Sequence, residues 1–546
     1  MALSLIAEQR SISKMFLQRE QYVIPDFQRP YSWRLDQCRK LIEDLMEAYN
    51  AETDYFLGNI IIAVGEKKRD MPHVVDGQQR LISIWLILKV MSVLKPEVKT
   101  LSDAIFTYNW DGTQSDLKIA SEVIESDDRV WIDKIAEWGE TDFESNITKH
   151  VKNGEFVYPP KGKSLVANAL YFYYIYKNFL LDYGDVELHK YLRFFLEQVT
   201  LLPIELVGAN QEEANSRALT IFETINNRGM DLSDADIFKA KLYAKALTKE
   251  DQDRFMARWT DFKSSCKNLN ISIDDGFRYY SHVLRGKAGI TKTEISLRDF
   301  FSSQNSPLSQ KSYSEVMDDL QKITDLLTLF DEKRKERTEL ACWLQLVDNY
   351  SNVYPKYAAL VYLFYHGYNN EPELTETLRR IVRYCYYRGS TTTVKYEVYN
   401  MIYCISNGEM IQDYCQSQIS GDYFDNLGRL KYGYALLALY LEETVALSVG
   451  FEFDRLLTSR DISSLPKDWA GHVFIDHLDD LGNLVVLDTY KRSQPYTQKS
   501  VAYSKTHLKE LAQFLKSNPQ SITYSQLQKR TTEKKNLLKQ FFTGMK

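Results

Sequence analysis

One stretch limits the fold of this chain more than any other, because it is apolar on nearly every side. It runs from Leu81 to Val93 with the sequence LISIWLILKVMSV. A helix with this sequence has no face suited to water, so we expect it to be buried inside a domain. No apolar run in the chain reaches the roughly 18 residues that a membrane-spanning helix needs, and we therefore expect no membrane segment.

Short β-branched stretches accompany this helix in the sequence. Tyr22–Ile24, Asn59–Val64 and Leu201–Leu206 are typical of strands, and Val74–Val75 end a further strand just before the helix. The Leu201–Leu206 strand is expected to return to the first domain. Strands and helices that alternate in this way indicate an α/β domain at the start of the chain.

The chain is too long for one hydrophobic core, and its character changes twice along its length. Its 546 residues suggest roughly three or four units at about 150 residues per domain. We predict an N-terminal α/β domain with a helical insertion over residues 1–245 and a helical middle domain over 246–445. Short strands, loops and a helical tail follow over 446–546. The expected fold class is α+β and predominantly helical.

The net charge of −6 excludes a surface that is basic all over, as a dedicated nucleic-acid binder would have. Any contact with DNA must therefore come from a local patch. The segment 521–546 has six lysines and arginines, among them Lys529, Arg530 and Lys534, against Glu533 alone. This segment is either such a patch or the solvated face of a final helix.

Cysteine spacing and the first residues indicate the compartment. The six cysteines include no CxxC pair, so the sequence signals neither a zinc site nor a disulfide framework. The start, MALSLIAEQR, has charged residues too early for a signal peptide. We therefore expect a cytoplasmic protein in a reducing environment.

Three polar segments of the N-terminal domain are candidates for chemistry. The first is Ile24–Trp33 (IPDFQRPYSW), the second is Val75–Arg80 (VDGQQR), and the third is Phe222–Gly229 (FETINNRG), which continues through Leu232 to Lys239. Each combines amides, arginines or carboxylates with apolar neighbours, and each lies where a strand or helix is expected to end.

The second segment has the composition of a phosphate-binding turn. Gly77 allows a tight turn into the buried helix, whose first N–H groups form a natural anion site. Arg80 suits phosphate, Asp76 could hold Mg²⁺ or position a water, and Gln78 and Gln79 could orient a water or bind a base or ribose. The alternative is a capped turn in which Asp76 caps the helix, Arg80 pairs with it, and nothing binds.

The other two segments add candidates with less specific signals. Gln28 and Arg29 are the functional candidates of the first segment. They are flanked by Phe27 and Pro30, and simple exposure to solvent does not explain an arginine in such apolar surroundings. In the third segment, Asn226 and Arg228 lie where a helix ends and could face a site. Lys239 either reaches a phosphate or flanks the helix surface.

Two residues of the third segment are expected to be structural. Gly229 would end the first helix in a left-handed conformation. Ser233 would cap the next helix, with Asp236 three residues on as its acidic partner.

Taken in this order, the three segments resemble the N-terminal domain of the GmrSD family of type IV restriction enzymes and their phage-defence relatives. The family pattern is I-P-x-F-Q-R-x-Y-x-W, then D-G-Q-Q-R, then F-x-x-I-N-x-R-G-x-x-L-S-x-x-D, and it matches over roughly residues 5–245. The resemblance implies a fold similar to ParB and sulfiredoxin that binds and hydrolyses nucleoside triphosphates with a divalent ion such as Mg²⁺. It assigns to the nucleotide site Asp76, Gln78, Gln79 and Arg80, with Gln28, Arg29, Asn226 and Arg228 as neighbours.

Many members of this family end in an HNH-type nuclease domain of ββα-metal architecture, and the C-terminal region resembles part of it. Leu481–Leu487 (LGNLVVL) matches the middle of that pattern, and its end is matched by Tyr496, Lys499 and Tyr503. The beginning departs from it. Phe453–Thr458 is the best counterpart, and there Arg455 takes the place of the general-base histidine, while Arg492 takes the place of a later asparagine.

These departures bear directly on nuclease chemistry. An arginine stays protonated and cannot take a proton from water, and its charge would repel the divalent ion. Either His472 or His477 replaces the missing base, with metal ligands from Asp476, Asp479 or Asp480, or the domain has lost catalysis and only binds DNA or a partner.

The leading hypothesis is therefore a restriction or anti-phage protein that couples nucleoside triphosphate binding to the cleavage or engagement of DNA. The first alternative is a non-catalytic regulatory or DNA-sensing subunit that partners a separate nuclease. The second is a toxin-like nuclease that acts on RNA. A partner nuclease subunit or a homo-oligomer is possible in each case.

Overall fold

The described part of the chain comprises nearly all of its length. The computed structural model describes residues 5–17, 21–66, 71–109, 111–123, 127–159, 163–226, 233–302, 306–388, 391–444, 447, 451–487 and 494–545. The chain divides into two units, Met1–Thr260 and Asp261–Lys546. The second unit thus contains most of the predicted middle domain together with the predicted C-terminal domain.

The first unit contains most of the β-structure. Its strands are β1 (Leu5–Ala7), β2 (Arg10–Ser11), β3 (Tyr22–Ile24), β4 (Tyr55–Gly65), β5 (His73–Asp76), β6 (Phe106–Tyr108), β7 (Gln114–Leu117), β8 (Ile119–Ser121), β9 (Val151–Lys152), β10 (Glu155–Phe156) and β11 (Val199–Gly208). Its helices are α1 (Ile12–Phe16), α2 (Leu35–Asn50), α3 (Gln78–Leu94), α4 (Thr100–Ile105), α5 (Asp128–Glu137), α6 (Glu140–Ile147), α7 (Ser164–Tyr183), α8 (Asp185–Glu197), α9 (Gln211–Asn226) and α10 (Asp234–Tyr243). A further helix, α11 (Lys249–Asn268), begins in this unit and ends in the second.

In the described residues, seven strands form one mixed sheet, ordered β1-β11-β4-β5-β3-β8, with β2 also paired to β11. The long central strands β4 and β11 run parallel from the Tyr55–Val199 pair to the Gly65–Gly208 pair. β5 is antiparallel to β4 and leads directly into α3. The strand predicted at Leu201–Leu206 therefore does return to the first sheet, although about 135 residues separate it from β4.

Helix α3 is buried as its composition predicts. Every residue from Leu81 to Met91 is buried, including the indole of Trp85. The helix packs mainly against α7 and α4. A helix without a polar face is stable only when it is buried. Because β5 leads directly into α3, the turn between them must direct the chain from the sheet into the core.

The second unit is mainly helical. Its helices are α12 (Ile273–Lys287), α13 (Leu297–Ser302), α14 (Pro307–Gln310), α15 (Tyr313–Lys333), α16 (Glu339–Asp348), α17 (Tyr354–His366), α18 (Glu371–Arg388), α19 (Thr391–Ser406), α20 (Lys431–Glu442), α21 (Tyr496–Tyr503), α22 (Lys509–Ser517) and α23 (Tyr524–Phe542). Two short strands, β12 (Glu452–Arg455) and β13 (Leu484–Leu487), form an antiparallel pair. Short 3₁₀ helices lie at Gly428–Leu430, Ser459–Ser464, Lys467–Trp469 and Phe474–His477.

These elements confirm the predicted α+β, predominantly helical class. All six cysteines are unpaired, and Cys38, Cys266, Cys342 and Cys385 are buried. Within the described residues, none of the helices is long and apolar enough to cross a membrane.

Candidate functional site

The turn between β5 and α3 requires glycine. Gly77 has φ of 85°, a left-handed conformation that L side chains rarely adopt, and it is the N-cap residue of α3. A Cβ at this position would lie 2.1 Å from Cγ2 of Ile60 on β4. The chain can therefore pass from strand to helix beside β4 only with glycine at this position.

Gln78 and Gln79 are buried, with exposed fractions of 5% and 6%. The Gln78 amide donates to the carbonyl of Arg29 at 2.9 Å. The Gln79 amide oxygen accepts from the backbone N–H groups of Ser32 and Trp33, and its nitrogen donates to the Pro30 carbonyl. These amides position the segment 29–33, and direct contact of either with a ligand stays a prediction.

The first polar segment is held against β5 as well. The Gln28 side chain donates to the carbonyl of Val75 at 2.8 Å. The Arg29 guanidinium lies 3.8 Å from the carboxylate of Asp236, three residues after Ser233, which caps α10 as predicted. The structure thus brings Gln28, Arg29, the turn at residues 76–80 and the start of α10 together, although they are far apart in the sequence.

Arg80 points away from this buried loop. Its Nη1 donates to the carbonyl of Asn59 at 2.6 Å, which is the one hydrogen bond that the described part of the chain gives to this guanidinium. The side chain lines a pocket of about 390 Å³, and the complete lining is Trp33, Asp36, Gln37, Lys40, Leu41, Asp44, Tyr55, Leu57 and Arg80. The guanidinium is therefore fixed by the Asn59 carbonyl, and the Arg80 side chain borders the pocket.

Asp76 lies at the end of β5, opposite Ile61 of β4. Burial raises the pKa of its carboxyl, while the charges of Arg80 and Arg29 and a hydrogen bond from the Gly77 N–H act in the opposite direction. The two arginines therefore provide a positive field around this carboxylate. Its predicted role as a Mg²⁺ ligand stays a prediction, since no group of three metal-ligating side chains occurs among the described residues.

The remaining predicted residues of the third segment have different outcomes. Lys239 is only 4% exposed in α10, so the alternative that it flanks the helix surface is wrong. α9 ends at Asn226, whose side chain lies outside the described residues. Arg228 and Gly229 lie outside them entirely.

Sequence reasoning missed Lys40 and Tyr55 as pocket residues. A signal was present, because polar residues at positions 36, 37, 40 and 44 share one face of α2 directly after Trp33. Lys40 pairs with Asp44 at 2.7 Å and remains largely exposed.

In the second unit, Arg455 ends strand β12 and is paired. Its Nε and Nη2 both donate to Oδ1 of Asp479, which Lys431 also contacts at 3.0 Å. Burial alone would raise the pKa of Asp479, but these two cations outweigh it and lower the pKa. The position expected for a general base therefore holds a salt-bridged cation.

The motif residues that follow bind the backbone around β12. Lys499 is buried and contacts the Asp454 carboxylate at 2.8 Å and the Arg455 carbonyl at 2.6 Å. Tyr503 donates to the same carboxylate. The fully buried Asn483 bonds both the N–H and the C=O of Leu457. These contacts give the matched motif residues a structural role.

His472 and His477 were the predicted substitutes for the missing base. The ring of His472 stacks on Tyr524 with centroids 3.5 Å apart. Nδ1 of His477 lies 2.9 Å from the Asp480 carboxylate, which Gln528 also contacts. Asp479 is bound by Arg455 and Lys431, so the proposed ligands are divided between two clusters. Arg492 lies outside the described residues.

Half of the basic residues predicted for the C-terminal segment are paired with acidic residues. Arg530, 3% exposed, forms a bidentate pair with Glu510, and Lys534 is buried between Glu510 and Glu442. Lys535 pairs with Asp425. Both interpretations of the tail as a solvated or DNA-facing basic surface are therefore wrong for Arg530 and Lys534, whose charges are neutralised inside the unit.

The family model of the GmrSD restriction endonuclease N-terminal domain matches residues 12–243. This match confirms the predicted resemblance for the first unit, and it supports a GmrSD-type protein of a restriction or defence system. It ends before the second unit, so the HNH-like interpretation of residues 446–546 stays a prediction, as does the ParB-like fold.

A curated relative extends the comparison without adding an activity. An uncharacterized protein of Methanocaldococcus jannaschii is 23% identical over 315 residues, which cover 54% of this chain and 51% of the relative. The chain thus spans about half the length of this relative.

Proposed function

We propose that the first unit binds and hydrolyses a nucleoside triphosphate with Mg²⁺, and that this activity serves a restriction system directed at DNA. The observation that carries the proposal is the position of Arg80. The Arg80 side chain lines a pocket of about 390 Å³, and within the described residues its guanidinium donates one hydrogen bond, to the carbonyl of Asn59. Guanidinium groups recognise phosphate through planar, charge-assisted hydrogen bonds.

The pocket has the size and the mixed lining of a small-molecule site. Arg80 provides positive charge for phosphate groups, and Trp33 and Tyr55 provide aromatic surface for a base. Lys40 lines the same pocket but is paired with Asp44. Asp36 and Asp44 also line the pocket, and a bound divalent cation offsets their repulsion of a triphosphate.

Mg²⁺ is usually held in proteins by one or two carboxylates together with phosphate oxygens and water, so a single protein carboxylate is compatible with it. Asp76 is the candidate from the D-G-Q-Q-R resemblance, because it ends β5 directly before the turn into α3. Bound phosphate groups would offset the positive charges of Arg80 and Arg29, which also act on this carboxyl. When bound, the ion would neutralise charge on the transferred phosphoryl group. Gln78 and Gln79 act by holding residues 29–33 at the start of α3.

The test is hydrolysis of ATP and GTP by the full chain and by the variants Arg80→Ala and Asp76→Ala. We expect each substitution to lower the rate about 100-fold, since positioned charges in phosphoryl transfer have effects of this order. Arg193→Ala is the matched control, because Arg193 lies on the exposed surface of α8 and pairs only locally with Glu197. Equal rates in all four proteins would remove the proposal.

For the second unit, the contacts of Arg455 favour a non-cleaving role in binding DNA or a partner nuclease. The guanidinium and Lys431 neutralise Asp479, and His477 is bound to Asp480. We expect the protein alone to leave supercoiled plasmid intact in Mg²⁺ or Mn²⁺. Plasmid nicking that is lost in His472→Ala and His477→Ala would instead show an active nuclease.

A further inference from the structure

A second pocket, of about 320 Å³, lies within the second unit where α12 meets α17 and α19. It is lined by Arg278, Ser281, His282, Arg285, Glu294, Ile295, Leu297, Asn352, Val353, Tyr354, Tyr357 and Tyr399. Neither the sequence motifs nor the family match includes these residues, since both end before residue 261 or begin after residue 445. The proposed triphosphate site gives them no role.

Three polar atoms of this lining are buried and have no hydrogen-bond partner among the described residues. They are Nδ1 of His282, Nε of Arg285 and Nδ2 of Asn352. His282 is 5% exposed and Arg285 is 3% exposed. Buried polar groups are nearly always hydrogen-bonded, because leaving one unpaired costs about 1–3 kcal/mol in the folded state. Three such atoms around one cavity therefore point to a bound ligand.

Arg285 is a buried cation that forms no ion pair in the described part of the chain, and the nearby Glu294, whose charge acts on it, is paired with Lys395. Its Nη1 donates to the carbonyls of Ile290 and Thr293, and its guanidinium carbon lies 3.9 Å from the centroid of the Tyr399 ring. These contacts fix the group in place but add no negative charge. A buried charge is stable when it is paired, so the site favours an anion.

The histidine of this pocket adds hydrogen-bonding capacity without charge. Burial and the nearby Arg285 and Arg278 lower the pKa of His282 to about 3, so its ring is neutral at physiological pH. The ring lies 4.0 Å, centroid to centroid, from Tyr357. Arg278 is exposed at the same pocket, and Glu294 is paired with Lys395. Cations therefore exceed unpaired acids around the cavity.

We propose that this pocket binds a small organic phosphate of mononucleotide size. Its phosphate oxygens would accept hydrogen bonds from Arg285 Nε, Asn352 Nδ2 and Arg278. Its ring would contact the aromatic side chains of Tyr354, Tyr357 and Tyr399, which line the same cavity. The volume agrees with such a ligand, since small-molecule sites begin at about 300 Å³. This site is independent of the proposed triphosphate site in the first unit.

The test is titration of the full chain with AMP, GMP, CMP and UMP by calorimetry. Inorganic phosphate and adenosine are titrated separately, as the two halves of the ligand. We expect at least one nucleoside monophosphate to bind, and each half to bind at least tenfold more weakly than the whole.

The decisive variant is Asn352→Asp. Oδ1 of Asn352 accepts from the N–H of Tyr354 at the start of α17, and aspartate keeps that bond while replacing the unpaired Nδ2 by an anionic oxygen. The change should preserve folding, because an acidic group at a helix start is favourable. We expect at least a tenfold loss of affinity in Asn352→Asp and in Arg278→Ala.

Two controls make the result decisive. Asn370→Asp places the same substitution at the start of α18, outside this pocket, and should leave the affinity unchanged. Arg80→Ala in the first unit should also leave it unchanged. Absence of binding by all four nucleotides, affinity unaltered by Asn352→Asp, or affinity lost in Arg80→Ala would each overturn the proposal.

Discussion

Arg80 in the first turn of α3 and Arg455 at the end of β12 both belong to motif-like segments, yet their surroundings differ. Arg80 gives one described hydrogen bond to a backbone carbonyl and lines a pocket. Arg455 donates twice to Asp479, which a lysine also neutralises. Arg80 thus borders a pocket in the first unit, whereas the guanidinium of Arg455 is already paired with a carboxylate in the second.

The comparison extends to the residues around each arginine. In the first unit, the loop next to Arg80 is held by neutral amides, since Gln79 bonds the backbone of residues 30–33. No carboxylate takes part in those hydrogen bonds. In the second unit, buried cations such as Lys499 and Arg530 are held by carboxylates. A basic residue in a motif is therefore evidence for a ligand only when its charge is not already neutralised.

The largest effect is expected where a buried pair is broken. Lys499→Met leaves the Asp454 carboxylate with the Tyr503 hydroxyl but without its cation, and it should destabilise the second unit by about 3–5 kcal/mol. Urea denaturation followed by circular dichroism measures this change. Lys509→Met, at an exposed position, should have little effect. Equal urea midpoints for Lys499→Met and Lys509→Met would mean that the pair of Lys499 with Asp454 does not stabilise the second unit. The contrast between Lys499 and Arg80 would then be lost.

The Glu510 pair should make stability depend on pH. Burial alone would raise the pKa of Glu510, but Arg530 and Lys534 outweigh it and lower the pKa to about 2, against 4.5 for an ordinary glutamate. A lowered carboxyl pKa contributes stability above pH 4.5 that is lost as the pH falls towards 2, and the shift corresponds to about 3 kcal/mol.

Melting temperatures across this range measure the effect in the wild type and in Glu510→Gln. The advantage of the wild type should narrow as the pH falls from 4.5 to 2. Glu533→Gln, at an exposed position, serves as the control. A difference in melting temperature between wild type and Glu510→Gln that stays constant with pH would contradict the pairing of Glu510 with Arg530 and Lys534.

A smaller effect is expected from the amide that holds the loop beside Arg80. Gln79→Leu removes the acceptor for Ser32 and Trp33 and the donor to Pro30, and it should destabilise the first unit by about 2 kcal/mol. Limited proteolysis between residues 28 and 35 should become faster. Gln114→Leu is the exposed control. Unchanged stability together with lost nucleotide binding would instead assign Gln79 a direct contact with the ligand.

The elements around α3 could be predicted because local sequence determines them. An apolar helix after Val75 and a β-branched run at Asn59–Val64 leave few other folds, and Gly77 marks the turn between them. The cap at Ser233 could be predicted for the same reason. Arg80, which the motifs single out, lines a pocket that also needs α2 and β4, and its contact with a nucleotide stays a prediction.

What could not be predicted depends on partners that are distant in the sequence. Arg530 looks like part of a solvated basic helix until Glu510 is placed beside it. The pocket formed by His282, Arg285 and Asn352 has no local pattern, because it requires three helices to meet. The neutralisation of a charge is a tertiary property, and sequence spacing does not contain it.

The most direct test of this contrast is the binding of a non-hydrolysable ATP analogue with Mg²⁺ to the wild type, Arg80→Ala and Arg193→Ala. We expect saturable binding to the wild type and to Arg193→Ala. Binding to Arg80→Ala should be at least tenfold weaker, a loss of about 1.4 kcal/mol or more. Equal affinity of Arg80→Ala and the wild type would contradict the claim that this guanidinium faces a phosphate.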